Sequence, residues 1–145
     1  MIRFWDTSAL VKVFKSDEPA HARAMNLVYA ARKAVRQTTS MIAAVELVAA
    51  IVRETRDRRL AAQATDLLKG FDQVEFGNLH RDLALRLAFM GNTRGADTAI
   101  AAQALILTAA GGRLEFVSAD KDQARVVASE ARARRFDVRV LVLPV

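Results

Sequence analysis

With 145 residues, 52% of them hydrophobic, and charges spread along its length, the chain is expected to form one domain over 1–145 with a real core, which excludes a disordered polymer. The absence of cysteine excludes disulfides and thiolate zinc sites, and no apolar run reaches the roughly 18 to 20 residues that span a bilayer. The balance of 22 Lys+Arg against 16 Asp+Glu, a formal charge of +6, favours an anionic partner such as nucleic acid or an acidic protein.

The opening "MIRFWDTSAL" has no basic segment, apolar run or cleavage site of a signal peptide, so a cytoplasmic protein is expected. "IRFW" reads as a short apolar strand ending at Asp6, and "TSALVKVF" as one or two helical turns. "PAHARAMNLVYAARKAV" carries Ala22, Met25, Val28 and Tyr29 at helical spacing, with Pro19 suited to the helix start. "VRQT" is a candidate strand, after which Ser40 is placed to cap "MIAAVELVAAIV". That stretch has no polar face, so it reads as a helix buried on every side, yet it contains a carboxylate, Glu46. "DRRLAAQATDLLKGF" is amphipathic, and "QVEF" is a third strand. "NLHRDLALRLAFMGN" is a helix opened by Asn78, and "ADTAIAAQALILTAAGG" is an apolar helix stopped at Gly111 and Gly112. "LEFV", "DKDQARVVASEARARR" and "VRVLV" complete a strand–helix–strand ending. Strands alternating with helices predict an α/β fold whose parallel sheet is covered on both faces.

The acids occupy suggestive places. Sites in open α/β sheets lie outside the carboxyl ends of the strands. Asp6 follows the first strand, Asp120 follows "LEFV" after two residues, and Asp97 opens an apolar helix after "TRGA". Glu46 lies about a turn and a half beyond Ser40. In a parallel sheet these strand ends and helix starts converge on one edge. Each acid also has a purely structural reading. Asp6 and Asp97 are candidate helix caps, Asp120 with Gln123 resembles a capping pair, and Asp122 suits a solvated first turn. Glu46 sits mid-helix, where no cap is available, so its structural alternative is a salt bridge to a distant arginine.

A bound cation accounts for all of them together, because such a cluster repels itself when empty. Oxygen ligands select Mg²⁺ or Mn²⁺ over zinc, and His21 and His80 read as ordinary surface residues. Phosphodiester hydrolysis suits an acidic, metal-binding pocket on a basic protein, with no histidine pair required. Lys12, Arg53, Arg94 and Lys121 lie near these motifs and are candidates for phosphate contacts; solvated surface charge is the alternative for each.

The ordered set "DTSALVKVF", "AAVELVAAIV", "RGADTAIAAQAL" and "FVSADKD" resembles the PIN-domain family of metal-dependent ribonucleases, most closely the VapC-type toxins of bacterial toxin–antitoxin pairs. The likeness spans essentially the whole chain. It matches the family's acids to Asp6, Glu46, Asp97 and Asp120, with Ser118 in a supporting place and Asp122 as an auxiliary through water. It implies a three-layer α/β/α fold around a short, mostly parallel sheet, Mg²⁺ or Mn²⁺ dependence and endonucleolytic cleavage of RNA. It also implies a homodimer and inhibition by a small antitoxin. Trp5 departs from the smaller aliphatic residue usual before the first aspartate. Two other readings stand beside this one: an inactive adaptor of the same fold that binds RNA or protein, and a nuclease acting on another nucleic acid.

Overall fold

The computed structural model describes residues 1–30, 34–91 and 93–145. The ends of two expected helices, over 31–33 and at 92, lie outside the described residues. Five strands, β1 (Ile2–Trp5), β2 (Arg36–Ser40), β3 (Asp72–Val74), β4 (Arg113–Ser118) and β5 (Asp137–Val142), form one sheet in the order β3-β2-β1-β4-β5. Every pairing is parallel. The helices among the described residues are α1 (Thr7–Lys12), α2 (His21–Tyr29), α3 (Met41–Thr55), α4 (Arg58–Lys69), α5 (Asn78–Phe89), α6 (Gly95–Thr108) and α7 (Lys121–Arg134). None is long and apolar enough to cross a membrane.

On β4, Leu114 through Ser118 are all buried, although alternate residues point to opposite faces. Helices therefore cover the sheet on both sides, giving the expected three-layer α/β/α arrangement. Phe4 on β1 stacks on Phe116 of β4, ring centroids 6.0 Å apart, at the centre of the core. Trp5 is also fully buried; its indole N–H donates to Gln37 Oε1 at 2.6 Å, and its ring tilts against Phe71. The large residue before Asp6 is thus absorbed by a polar partner on the neighbouring strand.

The chain runs outward from β1 through β2 to β3, then returns to the other side of β1 for β4 and β5. This reversal places a topological switch point between the carboxyl ends of β1 and β4, where open α/β sheets form their clefts. Asp6 directly follows β1, and its N–H donates to the Val117 carbonyl of β4 at 3.1 Å. Asp120 follows β4 by two residues.

Two expectations need correction. α3 is not buried on every side. Ala43, Leu47, Ala50 and Ile51 face the core, but Val45 is 71% exposed and Met41 and Val52 are also exposed. An outer-layer helix whose solvent side is valine and alanine cannot be told from a buried one by hydropathy alone. α6 is the helix that is enclosed, buried continuously from Ile100 to Leu105. His80 is not a surface residue either. It is buried, and its Nδ1 accepts the Gly77 N–H at 3.1 Å, closing the start of α5 in place of the expected Asn78 cap. Burial lowers its pKa, favouring the neutral ring that can accept this bond.

Candidate metal centre

Asp6 is the innermost acid, 4% exposed. It caps α1: Oδ1 accepts the Ala9 N–H at 3.0 Å and the Ser8 hydroxyl at 2.7 Å. Its Oδ2 accepts the Ser118 hydroxyl at 2.5 Å. The structural reading of Asp6 as a cap is therefore correct as far as it goes. Burial nevertheless outweighs these donors and pushes its carboxyl up to about 6 from an ordinary 3.8, with the Asp97 charge adding to the rise. A residue serving only as a cap would ordinarily sit at a solvated helix end, where this desolvation is absent.

Ser118 and Ser8 knit the ends of β1 and β4 together. Ser118 Oγ accepts the Asp120 N–H at 3.0 Å, and Ser8 Oγ accepts the Ala119 N–H at 2.9 Å. Asp120 caps α7, its Oδ1 accepting the N–H groups of Asp122 at 2.9 Å and Gln123 at 3.2 Å. That leaves Oδ2 free of capping duty. The side chain of Gln123 does not complete a reciprocal capping box with Asp120; it donates to the Asp97 carbonyl instead.

Glu46 is half-buried, and its Oε1 accepts the Thr7 hydroxyl at 2.7 Å. Its partner is thus a hydroxyl beside Asp6 rather than a distant arginine. Asp97, in the first turn of α6, is the least compensated of the set. Its carboxyl is raised first by burial, then by the charges of Asp120 and Glu46, with Arg94 opposing. Among the described residues no hydrogen bond contributes to that balance.

A cavity of about 570 Å³ is lined by Gly91, Thr93, Arg94, Asp97, Asp120 and Asp122. Asp97 and Asp120 thus face the same space, while Glu46 lies near enough for its charge to act on Asp97, and Asp97 near enough to act on Asp6. Asp122 is mostly exposed at the rim, 3.6 Å from Arg125. Of the cations, Arg94 lines the acidic cavity, and Lys121 is exposed at the start of α7. Lys12 is buried and ion-paired to Glu18, and Arg53 borders an apolar groove between α3 and α4. The sequence reading did not anticipate the roles of Thr7, Ser8 and Gln123. Ser8 alone carried a local signal, standing two residues after an aspartate at a strand–helix junction.

The donor set suits a hydrated hard cation: oxygen only, crowded with like charge and partly desolvated. Among the described residues no three acidic or imidazole groups close around one point, so a ready-made cage is absent. Mg²⁺ does not need one, since it keeps several waters and takes one or two carboxylates directly.

The five-stranded parallel sheet, with its switch point between β1 and β4 and helices on both faces, places the chain among the α/β proteins. A family model described as PIN domain matches residues 3–128, and the chain belongs to that family. Comparison with curated proteins finds no match. Among solved structures, the chain is similar to VapBC-1 from nontypeable Haemophilus influenzae at 15% identity, TM-score 0.66, covering 98% of each chain. It is similar to VapBC2 from Rickettsia felis, bound to a promoter DNA fragment, at 14% identity, TM-score 0.63, again covering 98% of each. VapC20 from Mycobacterium tuberculosis, described as a sarcin–ricin loop cleaving toxin, matches at 17% identity and TM-score 0.64, over 85% of this chain and 93% of that one. At these identities the likeness establishes the fold.

Proposed function

We propose that this chain is a divalent-metal-dependent endoribonuclease and the toxin of a toxin–antitoxin pair. The observation that carries the reading is Asp97: a half-buried carboxylate that shares one cavity with Asp120 and Asp122 and is raised by burial and by the charges of Asp120 and Glu46. Capping accounts for Asp6 and Asp120 singly, and a bound cation would offset the charge that the set shares. Membership of the PIN family and the likeness to VapBC structures support the choice of nuclease and of an antitoxin partner.

Asp6, Glu46, Asp97 and Asp120 would hold Mg²⁺ or Mn²⁺, with Asp122 reaching it through water. When bound, the ion supplies an activated water and charge stabilisation at the attacked phosphate. Ser118 and Ser8 fix the Asp6 carboxylate from both sides, and Thr7 fixes Glu46, so none of these needs to reorganise as charge develops. Arg94, on the cavity wall, and Lys121, exposed at the start of α7, would bind the phosphates that flank the scissile bond. Lys12, buried against Glu18, leaves the phosphate-binding proposal, and Arg53 lines the apolar α3/α4 groove rather than the acidic cavity. Purified protein should cut RNA with Mg²⁺ or Mn²⁺ and stop with chelator; metal-independent cutting, or none with either ion, contradicts the reading.

The same reading includes a homodimer. On α5, Leu85 and Phe89 lie one turn apart and are 61% and 95% exposed. Contiguous exposed apolar surface marks sites of interaction. A second copy, as the family resemblance implies, would cover them. Sedimentation at about tens of micromolar, where a standard-size interface holds, should show a dimer, and Phe89→Lys should shift it to monomer. A wild-type monomer at that concentration removes the dimer.

A further inference from the structure

Gln123 is a neutral amide enclosed in the first turn of α7, 1% exposed. Its Nε2 donates to the main-chain carbonyl of Asp97 at 2.7 Å, and its own N–H donates to Asp120 Oδ1 at 3.2 Å. One residue therefore holds two of the three acids that line the cavity, Asp97 through the helix backbone and Asp120 through its carboxylate. We infer that Gln123 is a positioning residue, which fixes the separation of Asp97 and Asp120 and thereby the cation affinity of the centre; this rests on the proposed reading of those acids as a metal site.

The chemistry of the position supports the assignment. Asp97 and Asp120 repel each other, and that repulsion acts to spread the amino-terminal ends of α6 and α7. A tie across the gap must donate to a carbonyl, reach from one helix to the next and survive burial. It must also bring no charge. A lysine or arginine would donate but would compete with the cation, and a glutamate would add another like charge. An apolar residue of equal length would fill the space and leave the helices untied. Glutamine meets all four conditions. Its Oε1 is buried with no partner among the described residues, so the side chain is not an optimised piece of core. Exchange for a similarly shaped apolar residue should therefore be tolerated by the fold.

The same chain contains a natural control. Gln103 is fully buried, its Nε2 donates to the Val74 carbonyl at 3.0 Å, and its Oε1 is likewise unpartnered among the described residues. It ties α6 to β3, away from the acidic cavity's lining.

The test uses the full chain and Mn²⁺ as the probe, with calorimetric titration and thermal melts in chelator. Gln123→Met should melt close to wild type without metal but bind Mn²⁺ about tenfold more weakly, the lower end of the effect expected for an outer-shell partner. Gln103→Met should leave the Mn²⁺ affinity unchanged. In RNA cleavage, the Gln123→Met rate should recover toward wild type as Mn²⁺ is raised, since the acids themselves are intact. Gln123→Asn, whose shorter amide falls short of the Asp97 carbonyl, should weaken Mn²⁺ in the same way and serves if the methionine variant misfolds. A Gln123→Met protein that melts lower but binds Mn²⁺ as wild type does would make the residue purely structural and overturn the inference. Equal weakening by Gln103→Met would also overturn it, by tracing the effect to general loosening. Wild-type protein that binds no Mn²⁺ would instead overturn the proposed metal centre, and the inference with it.

Discussion

Asp97→Asn is expected to lower metal-dependent RNA cleavage by about 10²- to 10³-fold, while the protein stays folded. The substitution removes one charge from a cavity-lining acid that burial and the charges of Asp120 and Glu46 already raise. Loss of about 3 to 4 kcal/mol of metal-mediated stabilisation at the transferring phosphate corresponds to that factor. Asp6→Asn and Glu46→Gln should fall in the same range. Asp120→Asn should be milder than these. Asp122→Asn should be weakest, since that side chain is 74% exposed and turned toward Arg125. Single-turnover cleavage of a labelled RNA measures the series. Near-normal rates for both Glu46→Gln and Asp97→Asn would end the metal-site account.

Asp6→Asn should have an opposite effect on stability. In the metal-free fold the Asp6 carboxyl is raised from 3.8 to about 6, so between those values the folded chain holds a proton that the unfolded chain has lost. Stability from this group is therefore greatest below pH 4 and declines as pH rises through 6, by an order-of-magnitude 3 kcal/mol in all. Asparagine removes the charge and keeps the geometry. Its carbonyl can still accept from Ala9 and Ser8, and Ser118 can turn its hydroxyl to accept where it now donates. In chelator at pH 8 the variant should melt several degrees above wild type, and the gap should close toward pH 4. Added Mg²⁺ should raise wild type far more than the variant. A variant that melts lower than wild type at pH 8 in chelator would mean that the carboxylate is worth more as a structural cap than its burial costs.

The acids were legible in the sequence because each sits at a landmark that local pattern reveals: the end of β1, the end of β4, the start of α6, and an anomalous charge within α3. Parallel strands then leave one edge on which these landmarks can meet. What pattern could not supply were the contacts made across the fold. Ser118 reaches Asp6 over 112 positions, and Gln123 was read as a capping partner of Asp120 because its local spacing fits that role. Hydropathy also misread α3. The periodicity of an alanine- and valine-rich helix does not show which face the sheet takes and which stays open, whereas Val45 is 71% exposed in the fold. His80 failed for a related reason: nothing near a helix start announces that an imidazole will be buried to accept a main-chain N–H.

The central claim is that these carboxylates exist to hold a divalent cation, and calorimetric titration of Mn²⁺ into metal-free protein at pH 6 and pH 8 tests it most directly. A cation entering the centre must displace protons from carboxyls raised by burial and by one another. Wild type should bind Mn²⁺ at both values, more tightly at pH 8, and release protons at pH 6 when the titration is repeated in buffers of different ionisation enthalpy. Asp97→Asn should bind far more weakly. Absence of binding at either pH, or binding undiminished by Asp97→Asn, would contradict the account.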